Sequence, residues 1–377
     1  MAAIFRATHD RILETPTSQA PATLWLIRIP EVFLEFEPAI LLTLQAKSIK
    51  KLGRDFRLIQ CENPDALELS DAAKFIAWKL PVHHSWPCCP QDTPGFIEKA
   101  TQALARKFGE SALQALLVGA LDPGSSNRYY RTLASNLRGR ALQLFPQNLG
   151  EIRDAEGQDS RKSTLFCLIG KEGLFCGVSQ PLAAKGFYPA GTKFIRQNSP
   201  ETISRAGAKI AEALHHLRLH RAPPAEGSHW LELGASPGGM TAELLGRKYR
   251  VTAVDRAPLD PRLKNATGLR AVLGDVSLFD PPKNDSFDAI LCDMNGDPHQ
   301  AMAQVIRLSS RLKPAGLVIF TLKTTGATSF SDINDLEKSI ITAAGRANLT
   351  AFARTHLTYN RQEFTLFFNR VEIKGDP

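Results

Sequence analysis

The 377-residue sequence has no long apolar run. The longest apolar stretch near the start, residues 25–44, is interrupted by charged residues. It therefore does not supply the ~20 apolar residues that a bilayer-spanning helix needs. The charged residues are Arg28, Glu31, Glu35 and Glu37. The first residues also lack a basic segment followed by an apolar one, as a secretory signal would have. We therefore expect no membrane contact, and the cytoplasm is the expected compartment.

Cysteine is scarce, and its spacing does not fit a common metal site. The six cysteines are Cys61, Cys88, Cys89, Cys167, Cys176 and Cys292. So few in a chain of this length form no disulfide framework, which fits a reducing compartment. Cys88 and Cys89 lie near His83 and His84, but adjacent cysteines lack the C-x₂-C spacing of zinc sites and no second ligand pair follows. We expect no metal.

The composition excludes disordered, collagen-like and coiled-coil chains, because 43% hydrophobic and 22% charged residues are ordinary globular values. The length suits two or three domains. Two apolar runs around Gly170–Gly173 predict a hairpin that closes an N-terminal α+β region. The stretch 186–200 has glycine, two prolines and little periodicity, which is typical of a linker. We predict an N-terminal region over residues 1–185, a linker over 186–200 and a second domain over 201–377.

The net charge of +8 favours a polyanionic partner, and part of the excess is concentrated in one segment. Residues 123–150 contain four arginines and no acidic residue, with Tyr129 and Tyr130 among them. On a helix, Arg131 and Arg138 share a face, which could align cations along a phosphate backbone. A basic helix face that is merely solvated fits equally well. The candidate RNA-binding residues are Arg128, Arg131, Arg138 and Arg140.

From Trp230 onward, strand and helix patterns alternate, which predicts a doubly wound parallel α/β sheet. Helices are expected to begin near Gly239, Pro298 and Ser331. Two consecutive strands close the sequence, so the last is expected to return antiparallel. The predicted strands are 229–233, 251–254, 269–273, 289–292, 316–322, 350–354 and 362–369.

The sharpest motif is a glycine-rich turn within Leu231–Met240, between a predicted strand and a predicted helix. Glycines allow close backbone approach to a ligand, and the helix N-terminus offers free N–H groups, so a nucleotide-like ligand is expected. Asp255 ends the next strand, where a carboxylate accepts ribose hydroxyls in either a dinucleotide or an adenosylmethionine site. The dinucleotide fingerprint requires a glycine where this sequence has Ser236 followed by Pro237, which disfavours NAD.

Two further carboxylates follow predicted strands. Asp275 comes after the third strand, where the adenine of such a ligand would lie, although an aspartate there could equally cap a helix. Asp293 ends the fourth strand, at the edge of an open α/β sheet where ligands bind. We interpret both as candidate site residues.

Taken together, these residues resemble the FtsJ-type ribose 2′-O-methyltransferases, whose cofactor is S-adenosylmethionine. The family's glycine loop reads G-A-C/S-P-G-G-aromatic, and Gly234–Gly239 matches it while Met240 replaces the aromatic residue. The resemblance covers residues 185–370 and implies a Rossmann-like methyltransferase sheet. It is strongest toward members that methylate a cytidine ribose of large-subunit ribosomal RNA. The cofactor-binding residues that it implies are Gly234, Ala235, Ser236, Pro237, Gly238, Gly239, Met240, Asp255, Asp275 and Asp293.

The family's catalytic set is Lys-Asp-Lys-Glu, and each member has a matching motif here, in the same order. The motifs are Ser204-Arg-Ala-Gly-Ala-Lys209, Cys292-Asp293-Met294, Phe320-Thr-Leu-Lys323 and Arg361-Gln-Glu363. The resemblance implies that Lys323 is the base, with its pKa lowered by burial and by Lys209 as a neighbouring cation. Asp293 would orient Lys323, and Glu363 would position Lys209 or the ribose. No metal is required.

In the N-terminal half, the resemblance implies a ferredoxin-like piece and a THUMP-like RNA-binding domain, so the expected partner is ribosomal RNA, bound by a monomer. Two alternatives are an RNA base methyltransferase and a catalytically idle RNA-binding protein. Base methyltransferases typically carry an Asn/Asp-Pro-Pro-Tyr/Phe loop after the fourth strand, whereas this sequence has Asp293-Met-Asn-Gly. The filled catalytic set argues against the idle protein.

Overall fold

The computed structural model describes residues 23–88, 92–122, 128–146, 149, 157–191, 195 and 202–371. Residues 14–193 form one structural unit, and residues from 194 onward belong to a second. Cys89 and much of the predicted linker, residues 192–194 and 196–200, lie outside the described residues. Within the described part of the chain, no helix is long and apolar enough to span a membrane.

The N-terminal unit is built from two four-stranded sheets. The first has the order β2-β3-β1-β4 with antiparallel neighbours, and the second has the order β5-β8-β7-β6 with only β6 and β7 parallel. The strands are β1 Leu24–Arg28, β2 Ala46–Leu52, β3 Phe56–Cys61, β4 Trp78–Pro81, β5 His84–Trp86, β6 Ala115–Ala120, β7 Thr164–Gly170 and β8 Gly173–Ser179. The helices are α1 Glu37–Thr43, α2 Ala66–Leu69, α3 Thr93–Phe108, α4 Tyr129–Leu144 and α5 Pro181–Ala184.

Strands β7 and β8 confirm the predicted hairpin, since Gly170 pairs with Gly173 across its turn. Helices α3 and α4 pack on this sheet through buried residues such as Leu104, Leu133 and Leu137. One face of α4 is apolar and buried. The arginines of this helix must therefore lie either at the edge of that face or on the exposed face. The N-terminal unit is therefore an α+β structure.

The second unit contains a seven-stranded sheet with the order β11-β10-β9-β12-β13-β15-β14. Strand β15 is antiparallel to both of its neighbours, and the other strands run parallel to one another. The strands are β9 His229–Leu233, β10 Arg250–Asp255, β11 Leu269–Leu273, β12 Phe287–Cys292, β13 Leu312–Lys323, β14 Leu349–Thr355 and β15 Glu363–Arg370. The helices are α6 Ala206–Leu217, α7 Gly239–Gly246, α8 Pro298–Leu308 and α9 Phe330–Arg346.

This architecture confirms the predicted Rossmann-like α/β sheet with an antiparallel last strand. Strands β9 and β11 have the predicted bounds, and the helices begin at or within one residue of the predicted positions. Strand β13 starts earlier than expected, at Leu312, because that residue already pairs with Phe287 of β12. The five parallel strands β11, β10, β9, β12 and β13 end at one edge of the sheet, where ligands bind in open α/β folds.

Candidate active site

The glycine-rich turn after β9 adopts backbone conformations that favour glycine. Gly234 has φ +80° and Gly238 has φ +105°, both in the left-handed region. A Cβ on Gly234 would lie 2.9 Å from the Cα of Met294, so the segment after β12 packs directly on this glycine. Ala235 and Met240, by contrast, are buried in the core of the sheet. The turn therefore brings the carboxyl ends of β9 and β12 into close contact at the N-terminus of α7.

Asp255 holds this turn against the end of β10. Its Oδ2 accepts a hydrogen bond from the Ser236 N–H at 2.9 Å, and its Oδ1 accepts one from the Ala257 N–H at 2.8 Å. A carboxylate oxygen can accept two hydrogen bonds, so Asp255 retains acceptor capacity for hydroxyl groups. A cavity of about 480 Å³ adjoins Asp255, and its wall also includes Leu259, Leu263 and Leu273. The cavity lies beside the predicted ribose-binding carboxylate.

Asp275 is the N-cap of the short helix Val276–Leu278, the alternative left open by its sequence position. Its Oδ1 accepts from the N–H and the hydroxyl of Ser277 at 2.8 Å, and its Oδ2 accepts from Arg256. The amide and hydroxyl of Ser277, followed by Arg256, lower the pKa of the Asp275 carboxyl. Asp275 is therefore engaged within the loop, and its predicted contact with the cofactor stays a prediction.

Arg307 of α8 supports the same turn, which sequence reasoning did not anticipate. Its Nη1 donates to the Phe279 carbonyl at 2.9 Å, and its Nη2 donates to the Val276 carbonyl at 2.7 Å. Two parallel bonds from one guanidinium fix a backbone turn more firmly than a single bond would. An arginine on the amphipathic helix after β12 was the available sequence signal, but its target carbonyls are not readable from a sequence.

The four residues of the predicted catalytic set lie together, and we call them the charged quartet: Lys209, Asp293, Lys323 and Glu363. Lys323 Nζ lies 2.6 Å from Asp293 Oδ1 and 2.7 Å from Glu363 Oε2. Lys209 Nζ contacts Glu363 Oε1 and lies 3.8 Å from Asp293 Oδ2. Each lysine therefore faces both carboxylates, and each carboxylate faces both lysines.

The charged quartet is largely shielded from solvent, which strengthens its internal electrostatics. The side chains of Lys209, Asp293 and Lys323 are 15–17% exposed and that of Glu363 is 6% exposed. Burial raises the pKa of the Glu363 carboxyl, but the two lysines outweigh it, so the net shift is downward. The formal charges of the four groups cancel.

The pKa of Lys323 is raised, and the expectation that it would be lowered is wrong for this arrangement. Burial does lower the pKa of Lys323, as predicted, but contact with Asp293 and Glu363 outweighs it. Two carboxylates at hydrogen-bond distance favour the ammonium form more strongly than partial desolvation disfavours it. Lys323 is therefore protonated at neutral pH in this arrangement.

Close helix packing brings Lys209 to the site. A Cβ on Gly207 would lie 2.8 Å from the carbonyl oxygen of Gly239, so the first turns of α6 and α7 nearly touch. Ser204 also packs against Gly239, since a Cβ on Gly239 would clash with the Ser204 hydroxyl oxygen. Gly207 occupies a variable position of the motif that identified Lys209, and its packing role was missed. Larger side chains here would move Lys209 away from the sheet.

Strand register places the other members of the charged quartet. Lys323 and Glu363 are directly opposite in the antiparallel pair β13–β15. The N–H and the hydroxyl of Thr324 both donate to the Gln362 carbonyl, at 2.9 and 2.8 Å, which extends this pairing by one residue. Asp293 follows β12, and its N–H donates to the Leu233 carbonyl of β9 at 3.1 Å.

A buried carboxyl, Glu232, lies beneath the site and was not singled out from the sequence. It is 2% exposed and accepts a hydrogen bond from the Thr241 hydroxyl at 2.7 Å. Burial first, and then the neighbouring Asp293 and Asp255, raise the pKa of Glu232 to about 8. An acidic residue inside an apolar strand was the sequence signal that could have identified it.

The four candidate RNA-binding arginines of the N-terminal unit are not equivalent. Arg128 and Arg131 are exposed. Arg138 is half-buried and donates from Nε to the Leu116 carbonyl at 3.0 Å. Arg140 forms a two-bond ion pair with Glu98 of α3, with a shortest distance of 2.7 Å. Arg138 is therefore less exposed than Arg131, and the RNA-binding role of the four arginines stays a prediction.

Residues 202–333 match the family model of FtsJ-like methyltransferases. The predicted resemblance to that family is thus confirmed over these residues, which include three members of the charged quartet, Lys209, Asp293 and Lys323. Glu363 lies beyond the matched range.

Curated relatives extend the similarity, and the three described here are named Ribosomal RNA large subunit methyltransferase M. The protein from Halorhodospira halophila is 30% identical over 192 residues, which cover 50% of this chain and 53% of the relative. The protein from Cellvibrio japonicus is 29% identical over 271 residues, which cover 67% of this chain and 71% of the relative. That from Teredinibacter turnerae is 30% identical over 245 residues, or 60% and 65%. The chain thus spans about half to 71% of the length of these relatives.

Proposed function

We propose that this chain is an S-adenosylmethionine-dependent RNA ribose 2′-O-methyltransferase that acts on a cytidine of large-subunit ribosomal RNA. The observation that carries the proposal is the charged quartet at the carboxyl edge of the sheet, beside the glycine turn of an FtsJ-like methyltransferase match. The names of the relatives support large-subunit ribosomal RNA as the substrate class.

The residues around the glycine turn fit the proposed cofactor. Glycine at 234 lets the Met294 backbone pack directly on the turn, where a Cβ would lie 2.9 Å from the Met294 Cα. The Asp255 carboxylate keeps lone pairs for ribose hydroxyls, and Asp275, which follows the next strand, is proposed to lie on the adenine side. Met240 is buried behind the turn and supports it from the core. When bound, S-adenosylmethionine supplies a methyl group on a positively charged sulfur.

The charged quartet supplies the proton chemistry. An alcohol is a poor nucleophile while protonated, so the ribose 2′-hydroxyl must lose its proton as its oxygen bonds to the methyl carbon. The bond from that carbon to sulfur would break at the same time, and its electron pair would stay on sulfur as a neutral thioether. Neutral Lys323 accepts that proton and becomes an ammonium. Asp293 and Glu363 then hold this ammonium at 2.6 and 2.7 Å, so they favour the protonated product form of the base.

The raised pKa of Lys323 has two opposing effects on this step. A smaller fraction of the lysine is neutral at a given pH, but each neutral lysine is a stronger base. Lys209 contacts the same two carboxylates as Lys323. Each carboxylate therefore divides its interaction between the two lysines. We assign Lys209, Asp293 and Glu363 to the orientation of the base and of the ribose.

The N-terminal unit is proposed to hold the RNA as a THUMP-like region with a ferredoxin-like piece. Its two sheets with α3 and α4 form an α+β structure, and α4 presents the exposed Arg128 and Arg131. Cations on an exposed helix face neutralise phosphates without reading sequence. The proposal includes action as a monomer in the cytoplasm, which sedimentation velocity and cell fractionation would test.

The direct test incubates the purified chain with unmodified large-subunit ribosomal RNA and S-adenosylmethionine. The RNA is then digested to nucleosides and analysed by mass spectrometry. We expect a methylcytidine whose extra mass is on the ribose fragment, and an alkali-resistant phosphodiester bond at that position. A methyl group on the base fragment would replace the proposal with the base methyltransferase alternative.

A further inference from the structure

A second buried acidic residue, Glu212 of α6, lies one helical turn beyond Lys209. Residues three apart on a helix are neighbours on its surface. The side chains differ in role, since Lys209 reaches the charged quartet whereas Glu212 is 6% exposed and turns to the segment between β14 and β15. Lys209 therefore connects α6 to the start of β15, and Glu212 connects α6 to the segment just before that strand.

Glu212 binds the backbone and the side chain of Thr358. The Thr358 N–H lies 3.1 and 2.9 Å from the two carboxylate oxygens, and the Thr358 hydroxyl donates to Oε1 at 2.8 Å. A carboxylate has two acceptor oxygens for two donors, whereas a glutamine offers only one acceptor oxygen and adds an N–H₂ donor. Because both carboxylate oxygens lie near the Thr358 N–H, either orientation of a glutamine amide would bring its N–H₂ group against that donor, so the amide should hold Thr358 less firmly.

The Thr358 segment is in turn fixed to the start of β15. The side-chain amide of Asn360 donates to the Glu363 carbonyl and lies equally close to the Thr365 hydroxyl, at 3.3 Å in both cases. Asn360 is 7% exposed, so these contacts are shielded from water. A displacement of Thr358 would consequently move the backbone at Glu363.

We propose that Glu212 is a positioning residue for methyl transfer, because its grip on Thr358 fixes Glu363 at contact distance from Lys209. The effect on rate rests on the proposed function, whereas the effect on the Lys209–Glu363 contact does not. Misplacement by about 1 Å can lower a rate by two orders of magnitude. Glu212 would act on the reaction only through the charged quartet, without touching the reactants.

The test compares Glu212→Gln with the unaltered chain and with a matched control, Glu337→Gln. Glu337 is a buried glutamate of α9 that accepts from Arg354 of β14 at 3.0 Å, so the same chemical change is made at another helix–strand contact. A milder variant, Thr358→Val, keeps the backbone donor and removes only the hydroxyl. Thr358→Ser keeps both donors and serves as the conservative rescue.

We expect Glu212→Gln to lower the single-turnover rate at saturating RNA and cofactor at least tenfold, with KM for RNA and Kd for S-adenosylmethionine within twofold. Thr358→Val should lower the rate less, and Thr358→Ser and Glu337→Gln should stay within about twofold. In crystal structures, the Lys209–Glu363 contact should lengthen in Glu212→Gln and persist in Glu337→Gln. If Glu212→Gln does not fold, Thr358→Val must show the rate loss and the longer contact.

The inference would be overturned, whatever the activity, by a Glu212→Gln crystal structure in which the Lys209–Glu363 contact is unchanged. If Glu212→Gln does not fold, the crystal structure of Thr358→Val decides in the same way. A rate loss equal to that of Glu337→Gln would also overturn it, because the effect would then be general destabilisation. If the unaltered chain transfers no methyl group to RNA, the proposed function fails and the crystal structures alone decide the role of Glu212.

Discussion

Lys209 and Lys323 share the same two carboxylate partners, although one lysine lies on α6 and the other ends β13. A change in the charge of one lysine therefore alters the electrostatic balance around the other. The first two predictions therefore examine Lys323 both by its removal and by its titration.

Replacement of Lys323 by alanine should lower methyl transfer by several orders of magnitude while cofactor affinity changes little, because the lysine acts in the transition state. Calorimetry with S-adenosylmethionine and single-turnover kinetics measure the two quantities. Lys313→Ala is the matched control, since Lys313 lies on the same strand and pairs with Asp288 away from the charged quartet. Lys209→Ala should behave like Lys323→Ala, and a loss confined to cofactor affinity would contradict its assigned role.

The single-turnover rate should rise with pH with a slope near one on a logarithmic scale. The direction follows from the raised pKa of Lys323, because the base must be neutral and its neutral fraction grows tenfold for each pH unit below the pKa. The increase should continue up to the ordinary pKa of lysine, about 10.4, as far as the chain stays folded. A rate that levels off near neutral pH would assign the proton transfer to a different group.

Glu232→Gln should remove a pH dependence of stability. The folded chain keeps Glu232 protonated up to a pKa of about 8, whereas the unfolded chain loses this proton near pH 4.5. Rising pH therefore favours unfolding between these values and has no further effect through this group above pH 8. Urea unfolding at pH 5 and pH 8 should show that the unaltered chain loses about 3–5 kcal/mol more than the variant. Equal losses would show that Glu232 is ionised in the folded chain.

The exposed arginines of α4 should set the salt dependence of RNA binding. Replacing Arg128 and Arg131 together by alanine should weaken binding and reduce the slope of log affinity against log salt by roughly one to two units. Arg138→Ala is the control, because its guanidinium donates to the Leu116 carbonyl and its loss should lower the melting temperature with the slope unchanged. An unaltered slope in the folded double variant would mean that this helix face only keeps the unit soluble.

Much of the architecture of the second unit was predictable because its signals are local. The alternation of apolar runs gave the strands of the second unit to within a few residues, and the glycine turn identified their ligand-binding edge. The charged quartet was predictable as a set because each member follows a recognisable motif at the end or start of an element. The roles of its members depend on distances that no motif encodes.

The features that the sequence could not predict are contacts made in three dimensions. The pKa of Lys323 depends on two carboxylates that reach it from separate strands. Their combined effect on this pKa exceeds the effect of burial because both lie at contact distance. The role of Arg138 depends on how α4 packs beside β6. Sequence spacing gives a helix face but not the backbone carbonyls that approach it.

Lys323 and Glu363 are opposite each other across β13 and β15, so the contact between them depends on the register of these strands. A single inserted residue in β15 ahead of Phe364 would slip the pairing and turn Glu363 toward the opposite face of the sheet, away from Lys323. A pair of inserted residues would restore the face but shift the acid along the strand. Any sheet that offers two antiparallel neighbours in this register, with a helix across them, could therefore hold the same lysine–carboxylate contacts.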